Sequence, residues 1–371
     1  MTNKKTITGL LHCIISCVIL LCIIGLIFVY SSSSIYALER FGSASYFAKK
    51  HMIGLMLGLI GVSVLQVIPL QTIKRATPLS FGIALLLTFC TLIPRLSHKI
   101  HGSQRWLSLA GFSFQPSELL KITLVLYLAY LLTPSKQYSH WNRLSFAQFI
   151  IILASITGIL LKQPDFGLAI TLIATGCIML FIARLHSKKL LITSAAFIPV
   201  AAILVLLKPY RLKRILIFLN PWNDPQGAGF QIIQSLIAIG SGGLTGVGIS
   251  NSKQKFFYLP MQHTDFIFPI IAEEIGFIGS LVIIFLYLFL LYTGLRLAWQ
   301  LHDTFCSYAT IGFIVLINLQ AIINFYVTTG LVPTKGIGLP FISYGNTALL
   351  CSILMIGLII HFSRHALLER Q

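Results

Sequence analysis

Long apolar runs recur along the chain and alternate with shorter polar segments. Each run is long enough for an α-helix to cross a hydrocarbon core about 30 Å thick, which takes roughly 17–25 residues. The pattern predicts about ten such runs, at residues 9–30, 47–68, 77–94, 117–133, 145–161, 167–183, 190–207, 274–297, 306–327 and 345–363. No alternation with a period of two and no longer repeat emerges, so strands, barrels and solenoids are not expected.

These runs predict an all-α polytopic membrane protein of about ten transmembrane helices, forming a single transmembrane domain over residues 1–371. Composition agrees, because 56% of residues are hydrophobic, 10% are charged and the mean hydropathy is +0.89. An ordinary globular chain has about 45–50% apolar and 25% charged residues. A soluble enzyme, a disordered tail and a disulfide-rich secreted module are therefore excluded. The seven cysteines include no C-x-x-C pair and lie in or beside apolar runs, which is typical of core residues.

The distribution of Lys and Arg predicts how the chain is oriented. With the N-terminus inside, the short inner segments are denser in cations than the long outer loops, as the positive-inside rule favours. Both termini are therefore expected in the cytoplasm. The first run follows Lys4 and Lys5 but has no A-x-A cleavage site, so it is expected to be a retained anchor. The net charge of +18 does not indicate a nucleic-acid partner, because the cations lie in short clusters between apolar runs.

Two outward loops are long enough to carry a site, at about 95–116 and, between the seventh and eighth runs, at about 208–273. In the larger loop, FQIIQSLIAI (230–239) is apolar but too short to span, which predicts an interfacial or re-entrant helix. The glycines of GSGGLTG (240–246) then permit a tight turn. Their spacing is not G-x-G-x-x-G and no strand precedes them, so a dinucleotide site is not expected.

The chain has only nine acidic residues, so each one near the membrane is informative. Glu118 and Lys121 begin the fourth run and share one face of the predicted helix. Two interpretations stay open: a structural ion pair at the membrane edge, or a pair that orients a neighbouring group or meets a phosphate. Asp165, in the short turn KQPDFG, needs no more than turn chemistry to explain it. Glu273 and Glu274 open the eighth run, where the helix dipole favours acids.

Asp265 lies two residues after His263 in the segment LPMQHTDFIFP, just before the chain re-enters the membrane. A partly buried carboxylate at a water–lipid boundary can act as a general base toward a hydroxyl, since burial raises its pKa. The alternative interpretation is an acid that stabilises the N-terminus of the eighth helix. The residues alone thus predict an outward polar site near Glu118, Lys121 and Asp265.

Six motifs carry a resemblance to a known family. In order, between about residues 101 and 347, they are GSQRWL, QPSELLK, QPDFG, PWNDPQGAGFQIIQSLIAIGSGGLTGVG, SKQKFFYLPMQHTDFIFPIIAEEIGFIG and GLVPTKGIGLPFISYG. In this order they closely resemble the SEDS (shape, elongation, division and sporulation) family of bacterial cell-wall polymerases. The segments NSKQKFFYLP and PTKG are more similar to its division members than to its elongation members.

The resemblance implies a peptidoglycan glycosyltransferase that polymerises lipid II at the outer face of the cytoplasmic (inner) membrane, at the division septum. It maps the catalytic aspartate onto Asp265 and supporting, substrate-binding roles onto Glu118, Lys121, Arg105 and His263. The implied partners are a class B penicillin-binding protein, which is a transpeptidase, and the division complex. Whether a divalent cation takes part is left open.

Two departures from the family pattern affect the surroundings of the site. Gly345 is followed by Asn346 and Thr347 where the family usually has Gly-Gly-Ser, and Met261 replaces the usual glutamate after LP. Two other functions remain as alternatives: a lipid II flippase and a non-catalytic scaffold that recruits a transpeptidase. The short inner loops with few acids disfavour a flippase, and the aspartate in a long outward loop disfavours a scaffold.

Overall fold

The structure is a computed structural model that describes residues 4–94, 97–100, 103–109, 112–134, 145–183, 216–227, 229–256 and 262–369. Its helices are α1 (Lys4–Phe41), α2 (Tyr46–Leu65), α3 (Leu70–Cys90), α4 (Pro116–Leu132), α5 (Phe146–Lys162), α6 (Phe166–Ile182), α7 (Phe230–Ser241), α8 (Ile267–Gln300), α9 (Thr304–Thr328) and α10 (Asn346–Leu368). The described chain is nearly all helix, which confirms the predicted fold class.

Nine of the predicted spans correspond to α1–α6 and α8–α10, and the span predicted at 190–207 lies outside the described residues. Six of these helices, α1–α3 and α8–α10, are long and apolar enough to cross a membrane. Helices α4, α5 and α6 have 17 residues each, or about 26 Å at 1.5 Å per residue. Helix α7 confirms the short helix predicted at 230–239.

Helix α1 continues well past its predicted end at residue 30. The polar run SSSS stays helical because its hydroxyls find acceptors within the bundle. Ser33 Oγ donates to Val29 O (2.6 Å) and Ser34 Oγ to Ser31 O (3.3 Å), while Ser31 Oγ donates to the Glu274 carboxylate on α8 (2.6 Å). A polar run therefore does not end a helix that is packed on another helix.

Both chain termini lie at one end of the bundle. Lys4 and Lys5 of α1 line a common cavity with Arg364 of α10, and Lys74 of α3 pairs with Asp303, the N-cap of α9. The predicted orientation requires both termini at the same end; that this end faces the cytoplasm stays a prediction, and the opposite end is called the outer end below. The opposite, outer end carries the loops between α3 and α4, α5 and α6, and α9 and α10.

The Gly54-x-x-x-Gly58 motif of α2 packs on α10, as expected for close helix approach. A side chain at Gly58 would come within 2.7 Å of Ile353 Cδ1, and one at Gly54 within 3.7 Å of Asn346 Oδ1. Asn346 itself begins α10 and does not have a positive φ. The departure from the family pattern at this position therefore requires no left-handed backbone.

The outer loop before α4 contains a small antiparallel sheet, so the prediction that the chain has no strands was wrong. Its strands are β1 (Ser97–Ile100), β2 (Ser103–Leu109) and β3 (Phe112–Phe114), paired in that order. The strands are 4, 7 and 3 residues long, and alternation over so few residues gives no clear period-2 signal. Strand β2 carries Arg105.

Helix α8 is broken at Gly276, whose φ is +69° and ψ is −169°. The break leaves helical carbonyls and amides without their usual partners, and the glycine-rich turn after α7 provides replacements. A broken helix at membrane depth is tolerated where such partners exist. Four backbone hydrogen bonds join the two segments: Phe277 N to Gly243 O (2.9 Å), Ile278 N to Leu244 O (3.1 Å), Val247 N to Glu273 O (3.0 Å) and Gly248 N to Glu274 O (3.0 Å).

We expect Gly276→Ala to destabilise the protein by more than about 2 kcal/mol. A left-handed residue with a Cβ costs about 1–2 kcal/mol, and this Cβ would lie 2.3 Å from the backbone nitrogen of Gly246. The melting temperature of the purified protein in detergent measures the effect. Gly158→Ala in α5 is the matched control, because its Cβ would meet nothing within 4 Å and alanine favours the helix by up to about 1 kcal/mol. Equal melting temperatures for the two variants would contradict the strained break.

Candidate functional site

The residues singled out at the outer end come from four separate parts of the chain. Arg105 lies on β2, Glu118 and Lys121 begin α4, and Asp165 caps α6. Asp265 lies in the segment that leads into α8. A fifth segment, the loop between α9 and α10, packs against both the Asp165 and the Asp265 regions.

The backbone that carries Asp265 is fixed by three consecutive hydrogen bonds. The carbonyls of residues 263–265 accept from α9 and from the loop that follows it: Tyr344 N to His263 O (2.9 Å), Ser343 Oγ to Thr264 O (2.6 Å) and Asn324 Nδ2 to Asp265 O (2.8 Å). Asn324 Nδ2 also donates to Ile337 O at 2.7 Å. One buried amide therefore joins the segment before α8 to the loop after α9.

The Asp265 carboxylate lies against Gly336. A side chain at Gly336 would place its Cβ 2.9 Å from Asp265 Oδ2, so glycine leaves that oxygen uncovered. The carboxylate is partly buried. Burial raises the pKa of Asp265 to about 6; the Arg105 guanidinium opposes this rise and the Asp165 carboxylate adds to it. A carboxylate with such a pKa is mostly ionised at pH 7, yet it is a stronger base than an exposed aspartate.

Arg105 joins the sheet to the turn between α5 and α6. Its Nε donates to Gln163 O (3.2 Å) and its Nη2 to Pro164 O (2.7 Å), while Nη1 lies 3.4 Å from Asp165 Oδ2. Asp165 is buried and caps α6 by accepting from Leu168 N (3.3 Å). Burial raises the pKa of Asp165, and Arg105 and the Leu168 amide oppose that rise. Asp165 is therefore more than a turn residue, since it sets the position of Arg105 and the electrostatic surroundings of Asp265.

Glu118 and Lys121 form a buried ion pair on the first turns of α4. Lys121 Nζ lies 2.5 Å from Glu118 Oε2, and the lysine and glutamate side chains are 1% and 9% exposed. Both charges act on the Asp165 carboxylate, which places the pair beside the site. Because the Lys121 side chain is almost fully buried, it acts on the site through its neighbours.

His263 lies in an aromatic cluster. Its ring packs against Phe47 (centroids 4.4 Å apart), Tyr36 (5.8 Å) and Tyr344 (5.8 Å). Burial lowers the pKa of His263 to about 4, so its imidazole is neutral at pH 7. These contacts connect α1 and α2 to the Asp265 segment and favour a supporting role for His263 over a charged one.

Glu273 and Glu274 lie inside α8, next to its break, rather than at its start as predicted. The helix begins earlier because the apolar residues 267–272 continue it to the outer side. Glu273 accepts from Ser252 Oγ and from Lys253 N (2.9 Å). Glu274 accepts from Ser31 Oγ and lies 3.6 Å from Lys255 Nζ. The two glutamates therefore hold the loop that leads to the Asp265 segment.

Several further residues of the site carry only weak signals in the sequence. Asn324 is a polar residue within an apolar span, which is a functional signal by default, and Ser343 and Gly336 lie in the resembling motif GLVPTKGIGLPFISYG. Met261 lies outside the described residues. Within the described ranges, no three His, Cys, Asp or Glu side chains cluster as a metal site.

Comparisons with known proteins identify the family. The profile of the FtsW/RodA/SpoVE family of cell cycle proteins matches residues 11–367. A probable peptidoglycan glycosyltransferase FtsW of Trichlorobacter lovleyi is 42% identical over 340 residues, which are 91% of this chain and 89% of that protein. Stage V sporulation protein E of Bacillus subtilis is 39% identical over 366 residues, 99% of this chain and 100% of that protein.

The fold is shared with a solved structure of a peptidoglycan synthase complex in which polymerization and crosslinking are coordinated. A chain of that complex superposes with a TM-score of 0.76 and 29% identity, covering 96% of this chain and 97% of the other. These matches confirm the resemblance drawn from the six motifs and extend it to residues 11–367. The chain belongs to the FtsW/RodA/SpoVE family of cell cycle proteins.

Proposed function

We propose that this membrane protein polymerises lipid II into glycan strands at the outer face of the cytoplasmic membrane, with the Asp265 carboxylate as general base. The chain is a peptidoglycan glycosyltransferase, as its FtsW relatives at about 40% identity are named. The observation that carries the role of Asp265 is its placement: a carboxylate with a raised pKa, held by a fixed backbone and left uncovered by Gly336.

In the proposed reaction, Asp265 takes the proton from the 4-hydroxyl of the acceptor's terminal N-acetylglucosamine. The oxygen then attacks C1 of the donor's N-acetylmuramic acid. The bond between C1 and the undecaprenyl pyrophosphate oxygen breaks, the electron pair leaves with the pyrophosphate, and the α-linkage becomes β. A general base placed in this way contributes about 10²- to 10⁴-fold to the rate.

The leaving pyrophosphate needs positive charge beside it. Arg105 supports this role because its side chain is 22% exposed and is held in place by the turn between α5 and α6. Lys121 is almost fully buried and paired with Glu118, so its proposed contribution is to fix the start of α4 and the field around Asp165. A divalent cation would supply further charge if one binds.

The proposed partner and cellular location are inferred from the relatives. The solved complex with the same fold is a peptidoglycan synthase that polymerises and crosslinks, which supports a crosslinking partner, a class B penicillin-binding protein, for this chain. The 42% identity with an FtsW protein supports a role in division and a place at the septum within the division complex.

Purified chain reconstituted with its cognate class B penicillin-binding protein and fluorescent lipid II tests the proposed function. We expect glycan strands on a gel from the complex and none from the partner alone. A complex that stays intact but gives no strands, while moving lipid II between the leaflets of a vesicle, would favour a flippase. An intact complex with neither activity would favour a scaffold.

A further inference from the structure

Helix α9 carries two buried asparagines, Asn318 and Asn324. A polar side chain inside a membrane helix is costly unless its hydrogen bonds are satisfied. Asn318 Nδ2 donates to the carbonyl of Ile314 (2.9 Å), one turn earlier in the same helix. Asn324 Nδ2 instead donates to two carbonyls outside α9, those of Asp265 (2.8 Å) and Ile337 (2.7 Å). The two amides therefore share their chemistry and their burial but differ in their partners.

The carbonyl of Asp265 depends on a donor from outside its own helix. If α8 began slightly earlier, this carbonyl would accept from the N–H four residues later in the chain. That residue is Pro269, which has no N–H to donate. The backbone of α8 therefore cannot serve the Asp265 carbonyl, and the amide of Asn324 takes that place.

The second carbonyl bonded by Asn324 belongs to the loop after α9. Ile337 directly follows Gly336, where a Cβ would lie 2.9 Å from Asp265 Oδ2. Asn324 is thus bonded to the backbone on both sides of the contact between the carboxylate and the glycine that leaves it uncovered. One side chain sets the separation of these two segments.

From this geometry we infer that Asn324 is a positioning residue, which holds the Asp265 carboxylate uncovered beside Gly336 without touching the substrate. Its side chain is 1% exposed, so it acts only through the two carbonyls that it bonds. The inference rests on the proposed function, because it assigns Asn324 a part in placing the general base.

Steady-state kinetics of lipid II polymerisation by the complex with the penicillin-binding protein test the inference. We expect Asn324→Leu to lower kcat by roughly 10²-fold, which is the usual cost of misplacing a reacting group by about 1 Å. KM should stay within about twofold of the wild-type value, since only an interaction made in the transition state is lost. In an Asp265→Asn background, Asn324→Leu should lower the remaining rate by less than about twofold, because residues that act through one another are not additive.

Asn318→Leu is the matched control, because it removes an equally buried amide from the same helix. It should leave kcat and KM within about twofold of the wild-type values, since its amide bonds only within α9. Asn324→Ser provides a second variant in case Asn324→Leu does not fold. A hydroxyl donates one hydrogen bond and cannot serve both carbonyls, so the serine variant should show a similar loss of kcat.

Hydrogen–deuterium exchange of the purified chain measures the same bridge without any activity. In Asn324→Leu or Asn324→Ser, amides within residues 262–270 and 336–344 should exchange about five- to tenfold faster than in the wild type. In Asn318→Leu they should exchange at the wild-type rate. Unchanged exchange in the Asn324 variants, or equal losses of kcat in Asn324→Leu and Asn318→Leu, would overturn the inference. A wild-type complex that makes no strands would overturn the proposed function, while the exchange rates would still show whether Asn324 holds the two segments.

Discussion

Asp265→Asn is expected to lower lipid II polymerisation by about 10²- to 10⁴-fold while leaving the complex with the penicillin-binding protein intact. The amide cannot accept the proton of the acceptor hydroxyl, and the loss is the usual contribution of a general base. The three hydrogen bonds that fix this segment go to backbone carbonyls, so they persist in the variant. Initial rates of strand formation measure the effect.

The same substitution is expected to stabilise the fold at neutral pH. Burial raises the pKa of Asp265 from 3.8 to about 6, so the folded protein disfavours the ionised carboxylate by at most about 3 kcal/mol above pH 6. This cost vanishes below about pH 4, where the carboxyl is protonated in both the folded and the unfolded state. The melting temperature of Asp265→Asn should therefore exceed that of the wild type at pH 7.5 and converge with it on acidification.

Glu39→Gln is the control for both measurements, since Glu39 is an exposed acid near the outer end of α1. It should change neither the rate nor the melting temperature. Full polymerisation by Asp265→Asn would assign the activity to another residue or to the partner. An unchanged or lower melting temperature for this variant at pH 7.5 would contradict the raised pKa of Asp265.

Lys121→Met is expected to destabilise the fold by about 3–5 kcal/mol. Lys121 is 1% exposed and pairs with Glu118, and removing one partner of a buried pair leaves an uncompensated charge. Replacing both residues, with Glu118→Leu and Lys121→Met together, removes the second charge as well. Such exchanges for apolar residues are often neutral. The free energy of unfolding of the double variant should therefore lie within about 1 kcal/mol of the wild-type value.

The double variant separates the two interpretations of this pair. If the pair positions the site, polymerisation stays at least about tenfold below the wild type although stability returns. A double variant that recovers both stability and activity would reduce the pair to a structural role. The melting temperature and the rate of lipid II polymerisation, measured on one preparation, distinguish the positioning role from the structural role.

The sequence predicted the helices well where apolar residues were continuous and less well at their ends. Helix α1 runs through SSSS because the bundle supplies acceptors for these hydroxyls, and α8 begins at Ile267 because its first turns are buried among other helices. The break at Gly276 could not be predicted, since its replacement hydrogen bonds come from a turn some thirty residues earlier in the chain. The sheet of the outer loop was missed because its strands are short.

Asp265, Glu118 and Lys121 could be singled out from the sequence because charged residues at membrane depth are rare and costly. The importance of Asp165 could not be predicted in the same way. Its short turn explains an aspartate without further partners, and Arg105, which pairs with it, lies on a strand about sixty residues away. His263 was expected to support substrate binding. Its aromatic neighbours come from α1, α2 and the loop after α9, which are far apart in the sequence, so this packing could not be predicted.

The pH dependence of kcat/KM for lipid II tests the role of Asp265 as general base most directly. In the wild-type complex, kcat/KM should rise with pH, and this rising limb of the pH profile should have its midpoint near pH 6. Asp165→Asn keeps a good helix cap and removes a carboxylate that raises the pKa of Asp265, so its limb should move to lower pH. Arg105→Gln removes the cation that lowers this pKa, so its limb should move to higher pH. A limb that neither substitution moves would contradict Asp265 as the base.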